Sequence, residues 1–141
     1  MTEEQRIAAV AAFMGTDPEE YDYDCDVVVS CKKEYLVLTN EEADELAKSE
    51  IKELLWAFNP DFIATHCKTH LPETAIKALE SMQSKIGESC NGLIEALIED
   101  MDEFVRDAVL ADGRGHFLAT YDGEEQEVVS NGIAFYIYRL N

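Results

Sequence analysis

The sequence predicts an α+β fold, because its helical and strand-like segments are grouped along the chain instead of alternating. An N-terminal helix precedes a β-hairpin, several helices follow, and the chain closes with an antiparallel β-meander packed on helices. Hydrophobic residues make up 47% of the 141 residues, which is enough for a core, and no linker-like stretch or internal repeat divides the chain. We therefore predict a single acidic α+β domain over residues 1–141.

The N-terminal segment combines a helix with an acidic loop. Apolar residues at helical spacing predict a helix over residues 3–13, with Thr2 as its N-cap and Gly15 as its stop. Pro18 and a run of carboxylates then favour a loop over residues 16–26.

A β-hairpin and a long helix are predicted next. The β-branched residues 27–29 form the first strand, residues 31–34 the turn, and residues 35–39 the second strand. Asn40 is then expected to cap a helix that extends to about Phe58, where the following Asn-Pro pair ends it.

The middle of the chain is predicted to be helical. Residues 60–72 are ambiguous and fit one buried turn. Pro72 suits the first position of a helix over residues 72–86, and Gly87 suits its end. An apolar stripe at helical spacing predicts one further helix over residues 89–111.

The C-terminal segment is predicted to be β-structure. The glycine-rich residues 112–115 indicate a turn, and residues 116–120 and 127–129 are candidate strands. Asn131-Gly132 is a hairpin-turn signal that precedes the clearest strand, residues 133–140. Both faces of this strand are apolar, which fits either a central strand or an edge strand buried in a dimer.

The charge balance limits the classes of partner. Thirty Asp and Glu face eleven Lys and Arg, so the formal net charge is -19. Such a surface repels nucleic acid and anionic membranes and attracts basic proteins. We therefore expect no direct nucleic-acid contact and no membrane contact. The acidic N-terminus, the lack of a long apolar run and four scattered cysteines without a CxxC pair favour a reduced cytoplasmic protein.

Two groups of carboxylates form the predicted partner-binding surface. The first lies in the acidic loop and contains no basic residue: Asp17, Glu19, Glu20, Asp22, Asp24 and Asp26. The second lies on the predicted helix 89–111: Glu95, Glu99, Asp100, Asp102 and Glu103. Helix neighbours three or four apart have Cβ atoms about 5–6 Å apart, comparable to the spacing of phosphates along a nucleic-acid strand. A continuous acidic helix could therefore imitate a phosphate row. An ordinary solvated helix face and adaptation to high salt are the alternative explanations of the same acidity.

Metal and catalytic sites have less support. The weak candidate metal ligands are His66, Cys67 and His70, which the remaining cysteines could join, but the spacing of structural zinc sites is missing. The sequence contains no nucleophile elbow, so we predict no catalytic residue and no cofactor, and we take the protein to be a non-enzyme.

Three stretches resemble small acidic hypothetical proteins of bacteriophages and mobile elements. They are residues 34–44 (EYLVLTNEEAD), residues 112–125 (DGRGHFLATYDGEE) and residues 135–141 (FYIYRLN). No established activity is known for that group. The resemblance therefore implies that the gene belongs to a phage or mobile element, and it assigns no site residue. The rest of the chain, including the N-terminal 33 residues and the helices near residues 60–100, has no counterpart in it.

Three functional hypotheses follow. The first is an inhibitor from a phage or mobile element that binds a basic nucleic-acid-binding surface of a host defence complex, a CRISPR effector or a restriction enzyme, in the bacterial cytoplasm. Exposed aromatic residues would serve as anchors, the candidates being Trp56, Tyr21, Tyr23 and Tyr121. The second is a phage structural or accessory module that forms a homodimer or larger oligomer through its C-terminal strand. The third is a small metal protein or enzyme that uses His66, Cys67, His70 or His116.

Overall fold

A computed structural model describes residues 2–141 and confirms the α+β class. The chain divides into two compact units. Unit 1 comprises the chain up to Ala47 together with Asp112–Asn141, and unit 2 comprises Lys48–Ala111. The prediction of one domain over the whole chain stays a prediction.

Seven helices and five strands are present in the described residues. The helices are α1 Glu3–Met14, α2 Asn40–Glu53, α3 Pro60–Thr65, α4 Glu73–Ile86, α5 Asn91–Leu97, α6 Met101–Asp112 and α7 Arg114–Leu118. The strands are β1 Asp22–Asp24, β2 Val27–Ser30, β3 Lys33–Leu38, β4 Gln126–Ser130 and β5 Ile133–Arg139. Short 3-10 turns lie at Pro18–Glu20, Leu55–Ala57 and Gly87–Cys90. Every helix within residues 2–141 is too short or too polar to cross a lipid bilayer.

The strands of unit 1 form one antiparallel sheet in the order β1-β2-β3-β5-β4. Three two-residue turns join β1 to β2, β2 to β3 and β4 to β5, and both residues of each turn have positive φ. These turns are Cys25-Asp26, Cys31-Lys32 and Asn131-Gly132, and this backbone matches the twist of the strands they connect. β5 pairs on both sides, so it is a central strand and not an edge strand available to a dimer.

Helix α1 covers one face of the sheet. Its N-terminus has a capping box between Thr2 and Gln5, and Gly15 ends it in the left-handed conformation, as the sequence predicts. Val10 is fully buried and belongs to the same core cluster as Val37 and Ile137. Because side chains alternate along a strand, the neighbours of these sheet residues point to the opposite face.

The acidic loop contains a strand that the sequence analysis missed. Tyr23 lies opposite Val28 in the pairing of β1 with β2, and Tyr21 is buried beside it in the core. The high density of Asp in this segment obscured the alternation of aromatic and charged residues. Packing of the two tyrosines outweighs the low strand propensity of Asp.

The cap of α2 is Thr39 and not Asn40. The Thr39 hydroxyl accepts a hydrogen bond from the backbone N–H of Glu42, whose carboxylate accepts from both the backbone N–H and the hydroxyl of Thr39. This is a capping box, so Asn40 is free to serve elsewhere in unit 1. The helix also ends at Glu53, before the predicted end at Phe58.

We expect Thr39→Ala to lower the free energy of unfolding by about 1 kcal/mol, the usual cost of losing an N-cap. Chemical denaturation followed by far-UV circular dichroism measures this difference. Thr69→Ala is the matched control, because Thr69 is exposed and makes no side-chain hydrogen bond within residues 2–141. Equal stability of the Thr39 and Thr69 variants would contradict the capping assignment.

Residues 114–118 form helix α7 and not the predicted turn and strand. Gly113, at φ 84°, separates α6 from α7, and the backbone N–H of Ala119 then bonds to the Gly115 carbonyl. Phe117 and Leu118 are both buried although they are adjacent. Two adjacent buried side chains do not fit the alternation of a half-buried strand, and this explains why the β prediction for residues 116–120 was wrong.

The helix predicted over residues 89–111 is two helices in the structure, α5 and α6. Ile98 is extended and forms an antiparallel bridge with Cys67, where the N–H of Lys68 bonds to Leu97 O and the N–H of Glu99 bonds to His66 O, both at 2.9 Å. Asp100 then begins α6 by accepting hydrogen bonds from the backbone N–H groups of the second and third residues after it. The Asp-x-x-Glu pattern that begins at Asp100 is the sequence signal for this second start.

Candidate partner-binding surface

The first predicted acidic group is exposed in the structure. The six carboxylates of residues 17–26 all lie at the surface of unit 1, and within residues 2–141 none of them forms an ion pair. Asp22 and Asp24 lie on the edge strand β1, and Asp26 lies in the turn that follows. Asp17 caps the short 3-10 turn by accepting from the N–H of Glu19 at 3.0 Å. We call these six residues the acidic segment.

The acidic segment belongs to the more negative unit. Unit 1 carries eighteen carboxylates and five basic residues, which gives a formal charge of -13, whereas unit 2 carries twelve and six, which gives -6. Two of the five basic residues of unit 1 form ion pairs elsewhere: Arg6 with Glu42, and Arg114 with Asp44 and Glu125. The uncompensated charge of unit 1 therefore includes the whole acidic segment.

The second predicted group is divided by the break between α5 and α6. Glu95, on α5, pairs with Lys52 at 3.0 Å. Asp102, on α6, pairs with Lys48, and the hydrogen bond from that lysine lowers the pKa of the Asp102 carboxyl. Because of the break and these ion pairs, residues 95–103 do not form a continuous helical row of free carboxylates. The spacing argument for phosphate mimicry along one helix is therefore wrong.

The remaining carboxylates of the second group line a groove in unit 2. The groove has a volume of about 290 Å³. Its lining residues are Thr65, His66, Glu99, Asp100, Glu103 and Asp107. His66 Nε2 lies 3.2 Å from Asp107 Oδ2, and its ring contacts Phe62 and Phe104, each with centroids 5.1 Å apart. The groove is consequently polar and negative, and the rings of Phe62 and Phe104 hold His66 in place at its wall.

The candidate metal ligands do not converge. His66 is paired with Asp107, the Cys67 thiol donates to the Ile63 carbonyl at 3.3 Å, and His70 is exposed. Burial raises the pKa of the Cys67 thiol, which disfavours the thiolate that a metal would bind. Across residues 2–141, no three His, Cys, Asp or Glu side chains are grouped as a metal site requires. His116 is also exposed, against the ring of Phe117.

The proposed aromatic anchors differ in accessibility. Tyr121 is exposed, Tyr23 and Trp56 are half-buried, and Tyr21 is buried in the core. The Trp56 indole nitrogen is buried and has no hydrogen-bond partner within the described residues. Of the four, Tyr121 alone is exposed, and the guanidinium of Arg139 lies over its ring at 3.8 Å from the centroid.

Arg114 lies at a polar centre that the sequence does not predict. Its side chain is 9% exposed, and its Nε and Nη2 donate to the two oxygens of Glu125 at 2.9 and 3.1 Å. Nη1 donates to the Asn40 side chain and to Asp44, both at 2.9 Å. The Tyr138 hydroxyl donates to the same Glu125 carboxylate at 2.5 Å. We call these five residues the Arg114 centre.

The Arg114 centre joins three stretches that are distant in sequence, residues 34–44, 112–125 and 135–141. Asn40 and Asp44 come from the first stretch, Arg114 and Glu125 from the second, and Tyr138 from the third. These three stretches therefore meet at one polar centre within unit 1. The Gly-Arg-Gly motif was the available signal, but only the fold shows what the arginine binds.

No family model matches this chain, and neither the curated proteins nor the solved structures include a significant match. The features of the molecule that bear on function are the acidic segment, the groove of unit 2 and the charge of the chain.

Proposed function

We propose that this protein is an inhibitor from a phage or mobile element that occupies a basic nucleic-acid-binding surface of a host defence complex, a CRISPR effector or a restriction enzyme. The observation that carries the proposal is the acidic segment, which has six exposed carboxylates in ten residues and no ion-pair partner within residues 2–141. A surface that binds phosphates through Lys and Arg also pairs with carboxylates, and this association weakens as the salt concentration rises, as nucleic-acid binding does.

Long-range charge supports the same proposal. A net charge of -19 speeds encounter with a basic surface and suppresses encounter with nucleic acid or anionic membranes. The carboxylates of unit 2 that remain unpaired, Glu99, Asp100 and Glu103, add a second negative surface with room for a basic side chain. Mimicry in this form depends on the density of negative charge and not on a helical repeat.

The test compares two variants with the same change in net charge. The first neutralises five residues of the acidic segment and keeps Asp17 as the cap of its turn: Glu19→Gln, Glu20→Gln, Asp22→Asn, Asp24→Asn and Asp26→Asn. The second neutralises five exposed carboxylates without ion pairs or side-chain hydrogen bonds within residues 2–141: Glu45→Gln, Glu53→Gln, Glu80→Gln, Glu88→Gln and Glu127→Gln.

The measurement is capture from a bacterial lysate at low salt, elution with rising salt and mass spectrometry, followed by competition of the captured complex with DNA or RNA. We expect capture of a nucleic-acid-binding complex that DNA or RNA displaces, about tenfold weaker for the acidic-segment variant and about unchanged for the control. Equal weakening of both variants would reduce the effect to net charge. Capture that nucleic acid does not displace would argue against mimicry.

A further inference from the structure

A second surface of unit 1 combines apolar and acidic side chains. A groove of about 150 Å³ lies where α1 ends beside the sheet. Phe13 and Met14, in the last turn of α1, are 43% and 42% exposed, and Ile137 of β5 also lines the groove. Phe13 and Met14 both line the groove, so they give it an apolar wall that an apolar side chain of a partner can contact.

The acidic side chains of this groove are Asp122 and Glu124. Neither forms an ion pair within the described part of the chain, and Asp122 keeps one oxygen free, since the other accepts from the Glu124 N–H at 3.0 Å. Arg139 also lines the groove, but its guanidinium lies over the ring of Tyr121 and its Nε donates to the Asn141 carbonyl. The two carboxylates therefore remain available to an incoming cation.

We propose that this groove binds a segment of a partner protein in which an apolar side chain lies next to Lys or Arg. The apolar side chain would pack against Phe13 and Met14 while the cation pairs with Asp122 or Glu124. The proposal rests on the proposed function and extends it, because it adds an apolar anchor to an association that is otherwise electrostatic. Such an anchor supplies specificity that charge alone does not.

Charge and size argue against the other occupants. A second copy would bring another -19 of formal charge to the same surface, which opposes association. Small-molecule sites are typically about 300–1,000 Å³, well above the volume of this groove. One or two side chains of a protein segment fit a groove of this size and charge.

Amide chemical shifts of the full chain, titrated with short synthetic peptides, test the inference. The probes are a peptide that alternates Leu with Lys, a peptide of equal charge that alternates Ser with Lys, and a neutral peptide that alternates Leu with Gln. At about 0.15 M salt the Debye length is about 8 Å, so diffuse attraction is reduced. We expect the Leu–Lys peptide to bind about tenfold more tightly than either control and to shift residues 12–14 and 122–126.

Variants locate the site. Phe13→Ser, Met14→Gln and Glu124→Gln should each weaken the Leu–Lys peptide severalfold. Leu110→Ser is the matched control, since Leu110 is 78% exposed and lies in unit 2. Glu124 is exposed and its side chain makes no contact that folding needs, so its variant keeps the test valid if Phe13→Ser loses stability.

Two results would overturn the inference. Equal binding of the Leu–Lys and Ser–Lys peptides, with shifts concentrated in residues 17–26, would mean that the groove adds nothing to charge. Sedimentation as a dimer that Met14→Gln converts to a monomer would identify a second copy as the occupant. Either result leaves the proposed function to its own test, because capture by the acidic segment does not depend on Phe13, Met14 or Glu124.

Discussion

Gly115→Ala should lower the free energy of unfolding by about 3 kcal/mol, the upper part of the range for overpacking. A Cβ atom at this position would lie 2.5 Å from the Gly123 carbonyl oxygen, 2.7 Å from the Glu125 nitrogen and 2.8 Å from the Glu124 carbonyl carbon. All three are backbone atoms, so relief requires movement of the turn that carries Glu125. We expect the change to disturb the Arg114 centre as well as the packing of α7.

The control for this prediction is Gly92→Ala. Gly92 lies in α5 with no atom within 4 Å of an added Cβ, so the better helix propensity of Ala should leave stability unchanged or raise it by up to about 1 kcal/mol. Urea denaturation of both variants gives the comparison. If Gly115→Ala were as stable as Gly92→Ala, the close approach of α7 to residues 123–125 would be refuted.

Arg114→Met is expected to cost about 3 kcal/mol, near the lower end for breaking a buried ion pair by removing one partner. Met retains much of the apolar stem but leaves the half-buried Glu125 carboxylate without its two hydrogen bonds from the guanidinium. It also removes the cation 4.6 Å from the centre of the Tyr136 ring. The Asp44 side chain is 64% exposed, so water replaces its lost partner at little cost. Most of the lost free energy of unfolding therefore comes from Glu125.

A double-mutant cycle with Glu125→Gln separates the pair from its surroundings. We expect Arg114→Met combined with Glu125→Gln to be clearly more stable than the sum of the two single effects predicts, since a neutral amide tolerates the half-buried position. Strict additivity of the two single effects would show that the two side chains are not coupled.

The Arg114 centre also predicts an acid limb of stability. Burial alone raises the pKa of Glu125, but hydrogen bonds from Arg114 and Tyr138 outweigh it and hold the pKa below the ordinary value. A carboxyl with a lowered folded-state pKa contributes stability above its unfolded pKa of about 4.3, and this contribution is lost as pH falls through the folded value. Stability should therefore fall below about pH 4.3, less steeply in Glu125→Gln. Glu42 adds to this limb, because hydrogen bonds from Arg6 and Thr39 overcome its burial and lower its pKa too.

The sequence predicted elements wherever one local signal dominated. Thr2 and Gly15 bound α1, Asn131-Gly132 forms the hairpin turn, and the apolar residues before Arg139 form the central strand. Residues 114–118 were assigned wrongly because glycines on both sides of Arg114 indicate a turn. In the structure, Gly113 separates two helices, and Gly115 packs against the backbone of residues 123–125. No local sequence pattern reveals that second contact.

The candidate site was predictable in composition but not in geometry. The exposure of the six carboxylates of the acidic segment followed from their charge. The ion pairs of Glu95 with Lys52 and of Asp102 with Lys48 could not be predicted, because each lysine is about fifty residues away from its partner in sequence. The groove beside Phe13 was missed for a related reason, since its apolar and acidic parts come from opposite ends of the sequence.

The strand order of unit 1 also constrains the order in which the chain can fold during synthesis. In the pairing of β3 with β5, Val37 lies opposite Ile137, one hundred residues later. When residue 111 has been made, unit 2 is complete, whereas β3 still lacks β5, the strand that pairs with its second edge. Contacts at such separation form slowly, and an unpaired strand is open to mispairing in the meantime. The growing chain therefore carries an open β3 edge until residues 133–139 emerge, and the exposed carboxylates of β1 help keep the unfinished hairpins soluble until then.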